Sequence, residues 1–153
     1  MTIRSTSRAH PPAALSLELP AKPESVGKAR RAVRSWAEHH APTVRERDGI
    51  MLAVSEAASN AVRHAYPEGR NGCEFRVLAR VDADRLLVAV EDDGVGLNAR
   101  SLQPGLGVGI PLISQLAASL RLASPPDRQQ GCEVRMWFAL ESLTRRQDPR
   151  IRL

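Results

Sequence analysis

The chain has 153 residues, 42% of them hydrophobic and 25% charged, with a formal net charge of +5. That is the size and make-up of one ordinary domain with its own core, and it excludes a collagen-like, disulfide-framework or strongly disordered chain. The positive excess is no nucleic-acid footprint: residues 1–12 hold Arg4 and Arg8 and no acid, and residues 141–153 hold four arginines against Glu141 and Asp148, so only one excess charge is left for the middle of the chain. Such a distribution reads as solvated tails.

In chain order, "ALSLEL" (Ala14 to Leu19) alternates apolar and polar residues and predicts a short strand that Pro20 ends. "PESVGKARRAVRSWAEHH" follows, with Val26, Ala29, Val33 and Trp36 at helical spacing. Pro42 separates that helix from a longer one. Thr43 reads as its N-cap and Glu46 completes a capping-box pattern. This helix runs to about Tyr66, where Pro67 and Gly69 stop it. "CEFRVLARV" alternates, "RLLVAVED" has the apolar density of a buried strand, and the tight "DADR" connection predicts an antiparallel hairpin. The glycine-rich "DDGVGLNARSLQPGLGVG" comes next. "IPLISQLAASL" reads as a helix because Pro111 falls in its first turn. "LRLAS" and "CEVRMWFAL" read as two closing strands.

Strands gather towards the C-terminal half, with helices to cover one face, so the expected fold is an α+β two-layer sandwich. One domain over residues 13–140 is expected, between an N-terminal tail (1–12) and a basic C-terminal tail (141–153). No apolar run approaches the ~20 residues that a membrane-spanning helix needs. The N-terminus lacks the apolar stretch of a secretory leader. Cys73 and Cys132 lack metal-ligand spacing. These features together read as a cytoplasmic protein acting neither on nucleic acid nor in a membrane.

Four features carry the chemistry. Glu56, Asn60 and His64 recur every fourth residue, which puts a carboxylate, an amide and an imidazole in one row on the long helix. "EDDGVG" (Glu91 to Gly96) ends a buried strand. "GLGVG" (Gly105 to Gly109) opens a helix. "GCEVRM" (Gly131 to Met136) starts the last strand. A glycine-rich turn opening a helix suits an anion, because the backbone can approach closely and unpaired N–H groups point outward. A phosphate chain would bring Mg²⁺, which prefers oxygen ligands, and Asn60 offers one. Glu56, one turn earlier, could accept a proton from an attacking hydroxyl. Asp92 can accept a hydrogen bond from an exocyclic amine, as adenine presents. Singly, each feature has a plainer reading as helix surface, turn or cap; their order and spacing together favour a site.

At these residues the sequence resembles the GHKL ATP-binding fold, and within it the anti-sigma-factor serine kinases, or anti-sigma regulatory factors, of bacterial partner switches. "SEAASNAVRHAY" resembles the family's N box. Asp92, Gly94 and Gly96 match its first glycine box, and "GVGIPLI", with Gly107 and Gly109, matches its second. "GCEV" matches the closing Gly-Thr-x-Val pattern, with Cys132 in place of threonine. The resemblance covers roughly Leu15 to Leu140 and implies a mixed, mostly antiparallel sheet with helices on one face.

The resemblance also implies roles. Asn60 would coordinate Mg²⁺, Glu56 would be the general base of phosphoryl transfer, and Asp92 would hold the adenine amine of ATP. Gly94, Gly96, Gly107 and Gly109 would shape the loops around the nucleotide. Val54, Ala57, Ala58 and Ala61 would pack towards the sheet, and His64 receives no chemistry. The partners implied are a sigma factor and an anti-sigma-factor antagonist phosphorylated on serine, and a homodimer stays open. Only ten residues, "LNARSLQPGL", join the glycine boxes, with Arg100 their one cation. So short a lid predicts weak ATP affinity with little preference over ADP. A non-catalytic binding module of the same fold is the alternative. An isolated histidine-kinase catalytic domain is the third reading, disfavoured by the N-box sequence.

Overall fold

The computed structural model describes residues 14–40, 43–66, 71–96, 109–125 and 130–141. In chain order these form β1 (Ala14–Pro20), α1 (Pro23–Ala37), α2 (Val44–His64), β2 (Glu74–Asp82), β3 (Arg85–Asp92), α3 (Gly109–Leu116), β4 (Ser119–Ala123) and β5 (Cys132–Ala139). The readings made for the two tails, for the segment carrying Arg100 and for Gly107 lie outside the described residues.

The long helix starts as its sequence dictates. The Glu46 N–H donates to Thr43 Oγ1 at 3.1 Å, and the Thr43 N–H donates back to the Glu46 carboxylate at 3.1 Å. Two otherwise orphaned N–H groups are thereby satisfied. Glu46 also accepts the Glu141 N–H at 3.0 Å, which ties the end of the sheet to the start of α2. Burial pushes the Glu46 carboxyl up. The hydrogen bonds from Thr43 and Glu141, with nearby Arg47, outweigh that and hold it below its ordinary value.

The strands lie in the order β1-β2-β3-β5-β4. Each neighbouring pair is antiparallel, so the sheet expected to be mixed is wholly antiparallel among the described strands. Register puts Leu17 opposite Val77, Val77 opposite Val90, Val90 opposite Val134, and Val134 opposite Leu122. Side chains alternate between faces, so this aliphatic row crosses all five strands on one side. The three helices cover that side. Ala29, Val33 and Trp36 of α1, Ile50, Val54, Ala57, Ala58 and Ala61 of α2, and Ile113 of α3 are buried in the resulting core. With alanines on its inner face, α2 packs close to the strands, which brings its polar row near the ends of β3 and α3.

The other face carries no described helix and is mixed, with Leu78, Leu87, Ala89 and Trp137 beside charged residues. Glu18, Arg76, Glu91 and Glu133 stand in one cross-strand row. Arg76 pairs with Glu91 at 3.6 Å, and Arg135 pairs with Glu133. The β2–β3 turn is the expected two-residue connection, but it places Ala83 at φ +55°, a conformation an alanine seldom adopts.

Candidate functional site

Glu56 and Asn60 lie one turn apart on α2, both half-buried. The first residue of α3 comes down on them. A methyl group placed on Gly109 would sit 3.0 Å from Asn60 Nδ2 and 3.1 Å from Glu56 Oε2, so any larger residue there would press these two side chains back by a few tenths of an ångström. Asn60 Nδ2 is buried and has no hydrogen-bond partner among the described residues. An amide donor left this way is costly, and a bound polar group would satisfy it. The N–H groups of the first turn of α3 start beside the same pair. Glu56, Asn60 and Gly109, separated in sequence, thus form one cluster with the chemistry of an anion and cation site. Gly107 lies outside the described residues.

A second cluster forms at the end of β3. Asp92 is 3% exposed, and its Oδ1 accepts the Gly94 N–H at 3.0 Å. Gly94 lies flat against the C-cap of α2: an added methyl would be 2.0 Å from the Ala65 carbonyl oxygen. That same oxygen accepts the Val95 N–H at 2.7 Å. Gly131, at φ +114°, is pressed onto the Asp92 carbonyl, where a methyl would come within 2.1 Å. The first glycine box and the "GCEV" turn are therefore one packed unit. Cys132, opposite Asp92 in the β3–β5 register, is a small buried core residue.

α2 joins the two clusters. Five residues separate Asn60 from Ala65, about 7.5 Å of helix at 1.5 Å per residue. Sequence reasoning missed Ala65, Tyr66 and Asp93. The Tyr66 hydroxyl is shared between the Glu74 carbonyl and Asp93 Oδ1, the latter at 2.8 Å. Burial first, and the Asp93 carboxylate second, push the phenol above its ordinary value, so it keeps its proton. The available signal was that Tyr66 is the one tyrosine in the chain, placed where a helix meets a proline. His64 is half-buried in the last turn of α2, and no role is assigned to it.

No group of three or more His, Cys, Asp or Glu suited to a metal occurs among the described residues. A hard cation at the Asn60 cluster would therefore rest on the Asn60 side-chain oxygen, on oxygens of a bound phosphate chain and on water, the ligand set that Mg²⁺ favours. The residues fit such an ion, because Asn60 supplies a side-chain oxygen close to Gly109 at the start of α3.

Residues 19–138 match the family described as "Histidine kinase-like ATPase domain". The chain is 38% identical over 97 residues to the serine-protein kinase RsbW of Bacillus subtilis, covering 63% of this chain and 60% of that protein. It is 29% identical over 139 residues to the anti-sigma F factor of Pasteuria penetrans, covering 84% of this chain and 91% of that protein. The chain thus spans about three fifths of the Bacillus kinase's length. Among solved structures, the RsbU and RsbW domains of Rv1364c from Mycobacterium tuberculosis share its fold with a TM-score of 0.63 at 22% identity, covering 83% of this chain and 32% of that one.

Proposed function

Since the chain belongs to the histidine kinase-like ATPase domain family, we propose that it binds Mg-ATP, phosphorylates a serine of an anti-sigma-factor antagonist, and sequesters a sigma factor. The observation that carries this reading is the seating of Gly109 on Glu56 and Asn60, which gathers a base, a cation ligand and a helix N-terminus within contact distance. Asp92 accepts the adenine amine. Gly94, Gly96 and Gly131 let the loops pack on Ala65, on Asp92 and on one another, which shapes the wall beside the base. The N–H groups at the start of α3 face the phosphates.

In the reaction, the serine oxygen forms a bond to the γ-phosphorus, the bond from that phosphorus to the bridging oxygen breaks, and ADP departs. Glu56 receives the serine proton. Asn60 would hold Mg²⁺, which when bound would offset negative charge on the phosphate chain. Catalysis of this kind is chiefly positioning and charge stabilisation, which suits a cluster where Glu56 is the one carboxylate beside Asn60 and Gly109 among the described residues. The relatives named as a serine-protein kinase and an anti-sigma F factor support the choice of acceptor and partners. A sigma-factor partner implies work in the cytoplasm, and no described helix is long and apolar enough to cross a membrane.

The test is incubation with γ-labelled ATP, Mg²⁺ and purified antagonist proteins from the same genome. Label on a serine of one antagonist is the expected result. Nucleotide binding without transfer to any of them would leave a regulatory binding module, and absence of nucleotide binding would remove the reading altogether.

A further inference from the structure

The loop that carries Asp92 is held at three successive points. Asp92 Oδ1 takes the Gly94 N–H at 3.0 Å. Asp93 Oδ1 takes the Tyr66 hydroxyl at 2.8 Å. The Val95 N–H reaches the Ala65 carbonyl at 2.7 Å. Two of these ties come from consecutive residues at the end of α2, the helix that carries Glu56 and Asn60. The phenol has one proton and two acceptors, the Asp93 carboxylate and the Glu74 carbonyl, so it bridges the Asp92 loop to the start of β2 as well.

We infer that Tyr66 is a positioning residue that latches the Asp92 loop to α2 and thereby sets the base selectivity of the site. The inference rests on the reading that Asp92 accepts the adenine amine. Adenine presents an amine at the position where guanine presents a carbonyl oxygen. A carboxylate held still at that point attracts the first and repels the second, and a hydrogen-bonding site discriminates only when its groups cannot move away. Released from Tyr66, residues 92–95 lose one of their ties to the end of α2, and the Asp92 carboxylate is held less firmly against guanine. The phosphate half of the site, built on Asn60 and Gly109, is untouched by that release.

The experiment is calorimetric titration of the full chain with ADP, ATP and GDP. Tyr66→Phe keeps the ring and removes the latch. ADP and ATP affinity should each fall by roughly three- to tenfold, the range of one partly exposed hydrogen bond to a charged group. GDP affinity should not fall, so the ADP:GDP preference narrows while the ATP:ADP ratio holds. Asp93→Ala should reproduce this, Asp93→Asn, which retains an acceptor oxygen, should restore the preference, and Tyr66→Phe combined with Asp93→Ala should add nothing further. Equal losses for ADP and GDP would mean a purely structural role and would overturn the inference. So would an unchanged preference in Tyr66→Phe and Asp93→Ala when Asp92→Ala weakens ADP. If Asp92→Ala itself leaves ADP binding unaltered, the base-reading assignment fails and takes the inference with it. Circular dichroism at the titration temperature checks folding. Should Tyr66→Phe unfold, Asp93→Ala, which keeps the ring and its bond to Glu74, decides the question.

Discussion

The two ends of α2 are held by different means. At the N-terminal end, Thr43 and Glu46 close a capping box within four residues of sequence, and Glu141 adds one bond from the end of β5. At the C-terminal end, Ala65 and Tyr66 bond to Val95 and Asp93, across the whole β2–β3 hairpin. The first end is local chemistry and anchors the helix. The second is tertiary and anchors a loop to the helix. One rod thus carries a stability device at one end and a ligand-positioning device at the other, with Glu56 and Asn60 between them.

If that division holds, changes near the C-terminal half alter the chemistry and leave the fold, while changes at the N-terminus do the reverse. Glu56→Gln is the sharpest test. A positioned general base contributes about 10²–10⁴-fold, so single-turnover transfer should drop by that factor while ATP binding and the melting temperature stay near wild type. Unchanged transfer would remove Glu56 from the mechanism. Asn60→Ala should cost roughly ten- to a hundredfold in ATP affinity when Mg²⁺ is present and little when it is chelated. Titration with and without chelator reads the difference, and an Mg²⁺-independent loss would break the assignment.

Gly94→Ala sits where the two roles meet. Its methyl would lie 2.0 Å from the Ala65 carbonyl oxygen, so the loop must move off α2. Overpacking of this sort costs about 1–3 kcal/mol, and nucleotide affinity should fall along with stability in parallel denaturant and binding titrations. Thr43→Ala should be the smallest effect, about 1 kcal/mol of stability, with nucleotide affinity intact. Its pH signature is specific. The Glu46 carboxyl is held below its ordinary 4.5, so its contribution is present above that pH and fades as the pH falls through the folded value. The gap between wild type and Thr43→Ala should therefore narrow at acid pH to what the Glu46 N–H to Thr43 Oγ1 bond contributes; a constant gap would show that the box does not depend on the ionised carboxylate.

Sequence periodicity carried the elements well, because each strand and helix buries one face and must repeat accordingly. The capping box was legible for the same reason: its partners are three residues apart. The row of Glu56 and Asn60 was legible because helical spacing alone places them together. Legibility ended where position depends on packing between distant segments. The pattern of "IPLISQLAASL" continues past Leu116, but the Ala118 N–H is captured by the Trp137 carbonyl at 2.8 Å, and the chain turns into β4 instead. Ala83 looked like an ordinary turn residue, yet the two-residue hairpin forces its φ positive. Tyr66 looked like a helix end, and nothing near it in sequence points to Asp93. The strict antiparallel order depends on where β5 inserts, which no local pattern records.

That insertion governs when the molecule can be completed. β5 is the last described strand, yet it lies between β3 and β4, and among the described strands β4 has no other neighbour. During synthesis β1, β2 and β3 can pair with one another as soon as Asp92 is made, with the other edge of β3 still waiting for β5. β4 must wait for Cys132 to Ala139 to emerge. By sequence separation β4 and β5 are near neighbours, with Ala123 opposite Glu133, whereas β1 and β2 are far apart, with Pro20 opposite Glu74, so the delay belongs to synthesis and not to loop closure. The wall behind Asp92, supplied by Gly131, arrives with that strand as well, so the nascent chain holds a sheet before it holds a closed site. Hydrogen exchange on stalled nascent chains should find amides of β2 and β3 protected in chains that end after Ala123, and those of β4 only in chains that extend past Ala139; protection of β4 in the shorter chains would overturn this order.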